Sequence, residues 1–446
     1  MPNGLVNQAQ PPATIQGDVN VTQPLDVHVT NQPIDVDVLT LPSPIIVRQE
    51  QSANLDAFQR LRISSTGQRV DSAFTYDKQP MLFDEIISGT GTASHSTNLR
   101  SVYLTTGGLL AGASASLRLK YHTPYTPGNS QLIFITGTLN PDATADWTNV
   151  RAEIGYATEN NGVGFRYDET GAHIFLRSSI SGAPADLVLV DQAAWNINTV
   201  PGVDWTKSQI FGIDFQSLAV GRIRFFLDIS GSAVLVHEIY NDNLRVGPYW
   251  QTASLPPVWS VTNTGAANSV CRVLAICVTV KSEGAENWED IHGFPFSASN
   301  GATPKTVSTT LVPVMSIQLK TLFNGLINRS IVVPQDVIFM GTNPFLWQLI
   351  YNPTLTGSVF NSVDANSVCN FSTAATVIAG GRVIASGYSS GGSGGVRGTG
   401  GFLISGRVPL SVNAPGTVGD ILTMACQRVG SSDSAVNVAI NWQEVR

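Results

Sequence analysis

The sequence predicts an all-β protein: an extended N-terminal arm of short strand repeats, followed by two β-sandwich or jelly-roll-like domains. Charged residues make up only 13% of the chain, about half the share of an average soluble domain, and 41 glycines with 24 prolines supply turns. Short runs rich in β-branched and aromatic residues recur between these turns. A repeat of alternating apolar residues sets residues 1–50 apart from the rest. The 446 residues suffice for two or three domains that each bury a full core.

The charge composition excludes several classes of protein. The chain has 25 Lys and Arg against 32 Asp and Glu, a formal net charge of −7, and no block of like charge. Non-specific nucleic-acid binding lacks its electrostatic basis in such a chain. No run of roughly 18 apolar residues occurs, so no membrane-spanning helix is predicted. We therefore expect no nucleic-acid partner and no membrane insertion, and the composition favours a structural or binding protein.

Residues 1–50 are predicted to form an extended arm. The segment QPLDVHV at 23–29 returns as QPIDVDV at 32–38, and DVNV at 18–21 is a partial earlier copy. Apolar residues at alternate positions are typical of a half-buried strand, and the proline before each copy interrupts pairing. A disordered linker is one interpretation. The other is a docking or oligomerisation arm, because a strand with one apolar face needs a partner to cover it. The candidate residues for that contact are Val19, Val21, Leu25, Val27, Val29, Ile34, Val36 and Val38.

The first domain is predicted over residues 51–295. At least ten short β-rich runs with turns between them favour a two-sheet sandwich or jelly roll. The clearest hairpin lies at 221–240, with Ser230-Gly231-Ser232 as its turn. The only candidate helix is a short one near 54–60.

A second β domain is predicted over residues 311–446. It follows a polar, low-complexity segment at 296–310, which we interpret as a linker. The glycine-rich run at 389–401 is predicted to be an exposed hairpin tip or loop.

The four cysteines are predicted to be reduced and buried, and to behave as small apolar residues. Cys271, Cys277, Cys369 and Cys426 include no pair at C-x-x-C spacing, so neither a zinc site nor a redox motif is indicated. Cys271 and Cys277 are expected to face the same buried side of one strand, about 20 Å apart and too far for a disulfide. Residues 1–16 lack the pattern of a signal peptide, so synthesis in a reducing cytoplasm is expected.

The histidines do not form a predicted metal site. His122, His173 and His237 lie in predicted strands, and none has a second ligand at i+2 or i+4. His95 lies in a glycine-rich loop that lacks the lysine and spacing of a phosphate-binding loop. Structural roles are therefore predicted for these residues, and no metal or cofactor is expected.

Catalysis is not predicted. Candidate carboxylate pairs exist at Asp84 with Glu85 and at Glu286 with Glu289 or Asp290, but 32 acidic residues in a β protein offer such pairs by chance. No nucleophile motif is present.

Aromatic residues in or near the predicted loops offer a possible sugar-binding platform. Ring faces can stack on sugars, although tryptophan in a sandwich is more often part of the core. The candidates for glycan contact are Trp147, Trp205, Tyr249 and Trp250, with Trp195 and Trp259 nearby.

Several segments resemble a family of virion structural proteins of tailed bacteriophages, and the resemblance covers about residues 54–446. It is carried by GTGTASHSTNLRSVYLTTG (89–107), YTPGNSQLIFITGTL (125–139), IGYATENNGVGF (154–165), QIFGIDFQSLAVGRIRF (209–225), LKTLFNGLINRSIVVPQDV (319–337), YNPTLTGSVF (351–360) and INWQEVR (440–446). The V-x-V repeats of the arm resemble the attachment arms of phage fibres, which usually work as trimers.

The resemblance implies a place in the virion and carries no catalytic residues. It leads us to expect a non-enzymatic fibre or decoration protein. In this view the protein is made in the host cytoplasm, forms a homotrimer, and docks through its arm to capsid, neck or tail components. The alternative is a receptor-binding adhesin for host surface glycan, and a polysaccharide depolymerase is the least favoured reading.

Overall fold

Antiparallel β-strands form almost all of the regular structure in the computed structural model, which describes residues 67–282, 293–390, 402–403 and 408–446. The arm residues from Val19 to Val38 and the candidate helix near 54–60 lie outside these ranges. The only helix of the described residues is one 3-10 turn, Gln192–Ala194. No helix in these ranges is long and apolar enough to cross a membrane.

Fifteen strands build the first sandwich. They are β1 Gly67–Ala73, β2 Phe83–Ser88, β3 Thr92–Ser96, β4 Ser101–Thr105, β5 Ser114–Leu119, β6 Gln131–Thr138, β7 Val150–Ala157, β8 Gly162–Asp168, β9 Gly171–Ser178, β10 Ala185–Asp191, β11 Gln209–Phe215, β12 Ile223–Ile229, β13 Ser232–Ile239, β14 Pro257–Asn263 and β15 Arg272–Ser282.

Two sheets of this sandwich enclose one apolar core. One sheet has eight strands in the order β13-β12-β11-β6-β15-β4-β3, and β1 also pairs with β15. The other has seven strands in the order β10-β9-β8-β7-β14-β5-β2. Alternate residues of each strand point inward, so that Ile154, Phe165 and Trp259 are buried between the sheets. The predicted all-β sandwich fold is confirmed.

Fifteen further strands form the second part of the chain. They are β16 Phe294–Ser299, β17 Lys305–Val307, β18 Val312–Leu319, β19 Leu322–Phe323, β20 Leu326–Ile327, β21 Ile331–Gly341, β22 Phe345–Tyr351, β23 Thr354–Thr356, β24 Asn361–Ser362, β25 Cys369–Ser372, β26 Val377–Ala379, β27 Arg382–Ser389, β28 Phe402–Leu403, β29 Ile421–Arg428 and β30 Ser434–Val445.

The second core also lies between two sheets. A five-stranded sheet runs β16-β30-β21-β28, with β17 also paired to β30, and a six-stranded sheet runs β24-β25-β18-β29-β22-β27. Buried and half-buried residues alternate along most of β30, and its inward residues Val438, Ile440 and Trp442 belong to the core.

The predicted hairpin at 221–240 is present as β12 and β13, with Ile229 opposite Ser232. Its two turn residues, Ser230 and Gly231, have φ values of 55° and 81°. Positive φ at both positions is the geometry of a type I′ turn, which matches the right-handed twist of the strands.

The interpretation of residues 296–310 as a linker is wrong. β16 and β17 lie in this region and both pair with β30. Phe296 and Ala298 alternate with serines along β16 and pack against the second core. Serine-rich strands of this kind read as polar linkers because only every second residue is apolar.

The orientation predicted for Cys277 is also corrected. Cys271 is fully buried, whereas Cys277 is half-buried and lies on the other side of the strand from Val278. A β-bulge between Ala275 and Cys277 inserts one extra residue and reverses the alternation. All four cysteines are free thiols.

The two sandwiches contact each other through apolar and polar groups within one unit of the chain, residues 49–446. Tyr121 packs against a buried cluster of Ile331, Val333 and Val445. The backbone N–H of Ala414 donates to the carboxylate of Asp84 at 2.8 Å. The second sandwich is thereby held against the end of the seven-stranded sheet.

Candidate functional site

A cleft of about 460 Å³ lies on the outer face of the seven-stranded sheet. The residues that line the cleft alternate along the strands with core residues. The inward side chains pack in the first core, and the outward side chains line the cleft. Two rows of paired residues cross the sheet side by side. One row is Arg166, Glu153, Ser260 and Ser116, and the other is Arg151, Thr262 and Ser114.

One wall of the cleft is a charge cluster around Glu153. This side chain is only 7% exposed, and its Oε1 lies 2.8 Å from Arg166 Nη2, 2.5 Å from Arg177 Nη2 and 3.3 Å from Arg151 Nε. Arg166 and Arg177 also pair with the carboxylate of Asp186, at 2.8 and 3.4 Å. Arg166 and Arg177 are thus each fixed between the carboxylates of Glu153 and Asp186.

The cluster keeps Glu153 ionised. Burial alone would raise the pKa of Glu153, but the guanidinium groups of Arg177, Arg151 and Arg166 outweigh burial and lower the pKa to about 2. Glu153 is therefore a carboxylate at every physiological pH, and it has no proton to give to a substrate.

An aromatic floor supports the arginines. Phe175 is fully buried on the outer face, with the guanidinium carbons of Arg166 and Arg177 each 5.1 Å from its ring centroid. The ring lies against Gly164, where a Cβ atom would come within 2.9 Å of Phe175 and 2.6 Å of the Ile154 carbonyl oxygen. Glycine at this position lets the ring lie close to the sheet, and the ring in turn packs against the guanidinium groups of Arg166 and Arg177.

A hydroxyl strip lies beside the charge cluster on the same sheet face, and we define it as Ser114, Ser116, Ser260 and Thr262 on β5 and β14. These residues are half-buried. None of the four hydroxyl groups makes a hydrogen bond to another residue within the described ranges. Four unengaged hydroxyls next to a guanidinium cluster can together bind a ligand that carries many polar groups.

Arg118 closes one end of the cleft, next to the second sandwich. Its Nη1 donates to Glu159 at 2.7 Å, and its Nη2 donates to the Ala414 carbonyl oxygen at 3.2 Å. Arg329 of the second sandwich donates to the same carbonyl oxygen at 3.0 Å. The second sandwich therefore helps to position a residue of the cleft.

The structure does not assemble the predicted aromatic candidates into a platform. Trp147, Tyr249 and Trp250 are at most 5% exposed and belong to the first core. Trp205 is half-buried against that core and donates through Nε1 to Gln192 at 2.9 Å. A ring whose faces are covered by the core offers no surface to a sugar, so these positions give no support to the aromatic hypothesis. Trp195 and Trp259 are buried as well.

The histidines engage neighbouring protein groups. His122 Nδ1 lies 2.8 Å from the Ser254 carbonyl oxygen, and His95 Nε2 lies 2.7 Å from that of Phe74. His173 lies between Asp168 and Asp191, and His237 Nδ1 accepts from the Asn196 N–H. Among the described residues, no group of three or more His, Cys, Asp or Glu side chains could hold a metal ion.

The candidate carboxylate pairs are separated by their partners. Asp84 accepts from Ala414, whereas Glu85 pairs with Lys78 at 2.6 Å. Glu286, Glu289 and Asp290 lie outside the described residues.

The cleft was not predicted from the sequence. The available signal was the presence of charged residues inside apolar strands, as in VRAEIGYA at 150–157, VGFRYD at 163–168 and HIFLRSS at 173–179. A charged residue at an alternate strand position is usually on a solvated face, so the pattern alone did not indicate a site.

No protein-family model matches the chain, and no curated protein matches it. Several solved structures are similar to about half of it. An endo-1,3-beta-glucanase from Streptomyces sioyaensis has 10% identity and a TM-score of 0.36, over 49% of this chain and 97% of the glucanase. Lectin I-B4 from Griffonia simplicifolia has 13% identity and a TM-score of 0.30, over 48% and 99%. A carbohydrate esterase from the Shiga toxin-encoding bacteriophage phi24B has 10% identity and a TM-score of 0.29, over 49% and 100%. A likeness of this degree concerns β architecture and says nothing about activity.

Proposed function

We propose that this chain is a non-enzymatic component of a tailed-phage virion and that its first sandwich binds a host surface glycan in the cleft. The observation that carries the binding role is the cleft itself, in which the hydroxyl strip lies beside the arginine cluster around Glu153 on one sheet face. Sugars present many hydroxyl groups, and a row of unengaged hydroxyls with fixed guanidinium donors beside it is suited to them. The cleft favours an adhesin over a fibre or decoration protein with a purely structural role.

A binding role agrees with the chemistry of the cleft better than glycan cleavage does. A glycosidase of the two-carboxylate type needs a general acid whose pKa is raised, so that it holds a proton near neutral pH. Glu153, the most deeply buried carboxylate of the cleft, has its pKa lowered to about 2 by three arginines. It therefore serves to hold the guanidinium groups in place.

A bulky substitution in the hydroxyl strip tests the binding site. Ser116→Trp is expected to reduce binding of the full chain to host surface glycan at least about tenfold, because the indole would fill the cleft. The core should be unaffected, since residue 116 points away from it. Ser232→Trp, at the exposed first residue of β13 in the other sheet, is the matched control. Binding is measured by biolayer interferometry on immobilised surface polysaccharide, and unchanged binding of Ser116→Trp would rule out the cleft.

We also propose that the arm at residues 1–50 trimerises the chain and docks it to the particle. The support is the repeat of alternating apolar residues in the sequence and its resemblance to fibre attachment arms. Deleting residues 1–50 should leave a cooperative thermal transition, because both cores are formed by later residues. It should also abolish incorporation into virions and give a monomer in sedimentation. Full incorporation of the truncated chain would place the docking site elsewhere.

A further inference from the structure

The end of the cleft near Arg118 points to one class of glycan. Arg118 is buried, with only 3% of its side chain exposed, and its Nε makes no hydrogen bond. A buried guanidinium needs an anionic partner, because an unpaired charge in the interior is strongly destabilising. Glu159 supplies that partner in this structure, with Oε2 2.7 Å from Nη1.

Glu159 is an unusual partner for a buried arginine. It lies in the turn between β7 and β8, and 68% of its side chain is exposed. The turn is held without it, because the Thr158 N–H donates to the Asn161 carbonyl oxygen at 2.8 Å. Exposed carboxylates contribute little to such pairs, so Glu159 can leave Arg118 at small cost if another anion replaces it.

The charges of the cleft favour such an exchange. Arg118, Arg151, Arg166 and Arg177 pair with three carboxylates, those of Glu153, Glu159 and Asp186. Asp84 lies opposite Arg118 on β2, but its carboxylate accepts from the Ala414 N–H and lies 3.7 Å from Lys120 Nζ, whose charge offsets it. One positive charge is in excess with Glu159 in place, and a second appears when Glu159 turns to solvent. Glu153 and Asp186 cannot make the same exchange, because each is held by two or more guanidinium groups.

We propose that the cleft binds an acidic glycan, and that a carboxylate of the glycan replaces Glu159 on Arg118. The inference rests on the proposed glycan-binding function and names the class of ligand. Ser116 and Ser114 follow Arg118 on the same face of β5, at intervals of about 6.8 Å. A uronic acid anchored at Arg118 by its carboxylate therefore places its own and neighbouring hydroxyl groups along the hydroxyl strip.

The test compares binding of the full chain to acidic oligosaccharides and to their neutral counterparts. The probes are uronic-acid oligosaccharides from galacturonan, alginate and hyaluronan, each with its methyl-esterified form, and binding is measured by calorimetry at low salt. At least one acidic probe is expected to bind, and its methyl ester is expected to bind at least about tenfold more weakly.

Glu159→Gln is the informative variant. It removes the competing carboxylate, so the acidic probe should bind about 3- to 10-fold more tightly, while binding of the ester should not change. Glu169→Gln makes the same charge change in the exposed turn between β8 and β9 and should match the wild type. Equal gains in the two variants would reflect net charge alone and would overturn the exchange at Arg118.

Further outcomes separate the two proposals. The acidic class is overturned if no acidic probe binds, or if esters bind as well as acids. It is also overturned if a phosphorylated oligosaccharide binds in place of the uronic acids. In each case the proposed function stands as long as Ser116→Trp abolishes binding to host glycan. If Ser116→Trp has no effect on that binding, the proposed function itself fails.

Discussion

Replacement of Glu153 by alanine is expected to lower the free energy of unfolding of the first sandwich by about 3–5 kcal/mol. The substitution leaves Arg166 and Arg177, only 4% and 10% exposed, without one of the two carboxylates that they share. Asp186 remains, at 2.8 Å from Arg166 and 3.4 Å from Arg177, so the two guanidinium groups are left with a single carboxylate. Chemical denaturation followed by tryptophan fluorescence measures the effect. Glu169→Gln, on an exposed turn, should change the free energy of unfolding by less than about 0.5 kcal/mol.

Glu153 also makes the stability depend on pH. Its pKa in the folded chain is lowered from 4.5 to about 2. A lowered pKa gives stability that is fully present above the unfolded value and is lost as pH falls through the folded value. We expect on the order of 3 kcal/mol to disappear between about pH 4.5 and pH 2. Glu153→Gln should lack this component, and an unchanged acid dependence in that variant would assign the acid sensitivity to other carboxylates.

The second large effect is expected at Glu444, which is fully buried near the end of β30. Its carboxylate accepts from Ser367 Oγ at 2.6 Å, the Val368 N–H at 3.0 Å and Trp442 Nε1 at 3.2 Å, and it pairs with Arg446 at 2.7 Å. Glu444→Ala leaves several buried donors without an acceptor, so we expect a loss of about 3–5 kcal/mol from the second sandwich.

Two further variants separate the parts of the Glu444 cluster. Glu444→Gln keeps one acceptor oxygen, so its loss of unfolding free energy should be about half that of Glu444→Ala. Arg446→Ala should lower the free energy of unfolding by about 1–2 kcal/mol, less than Glu444→Ala, because Arg446 is 25% exposed. Its guanidinium carbon lies 4.9 Å and 5.0 Å from the ring centroids of Phe294 and Phe323, so part of that loss comes from contact with the rings. Thermal melts that rank Arg446→Ala as the most harmful variant would contradict the central role of Glu444.

Local patterns predicted the fold class well. A strand alternates apolar and polar residues with period two, and β30 shows this pattern over most of its length. The hairpin turn at Ser230 and Gly231 was also readable, because small residues that tolerate positive φ are required there. The predicted orientation of Cys277 was wrong because the β-bulge before it adds one residue and reverses the alternation of the strand. The prediction also failed where a serine-rich strand resembled a linker, at β16.

The sequence by itself therefore determined an all-β chain with strands in the right places, since strand period and turn chemistry depend on neighbouring residues only. Tertiary structure alone decided which charged residues meet. Glu153, Arg166 and Arg177 lie on three strands, and only the register of β7, β8 and β9 brings them together. Arg118 meets Ala414 only because the second sandwich packs against the sheet. Contacts between residues distant in the chain depend on register and packing of the whole domain, which no local pattern encodes.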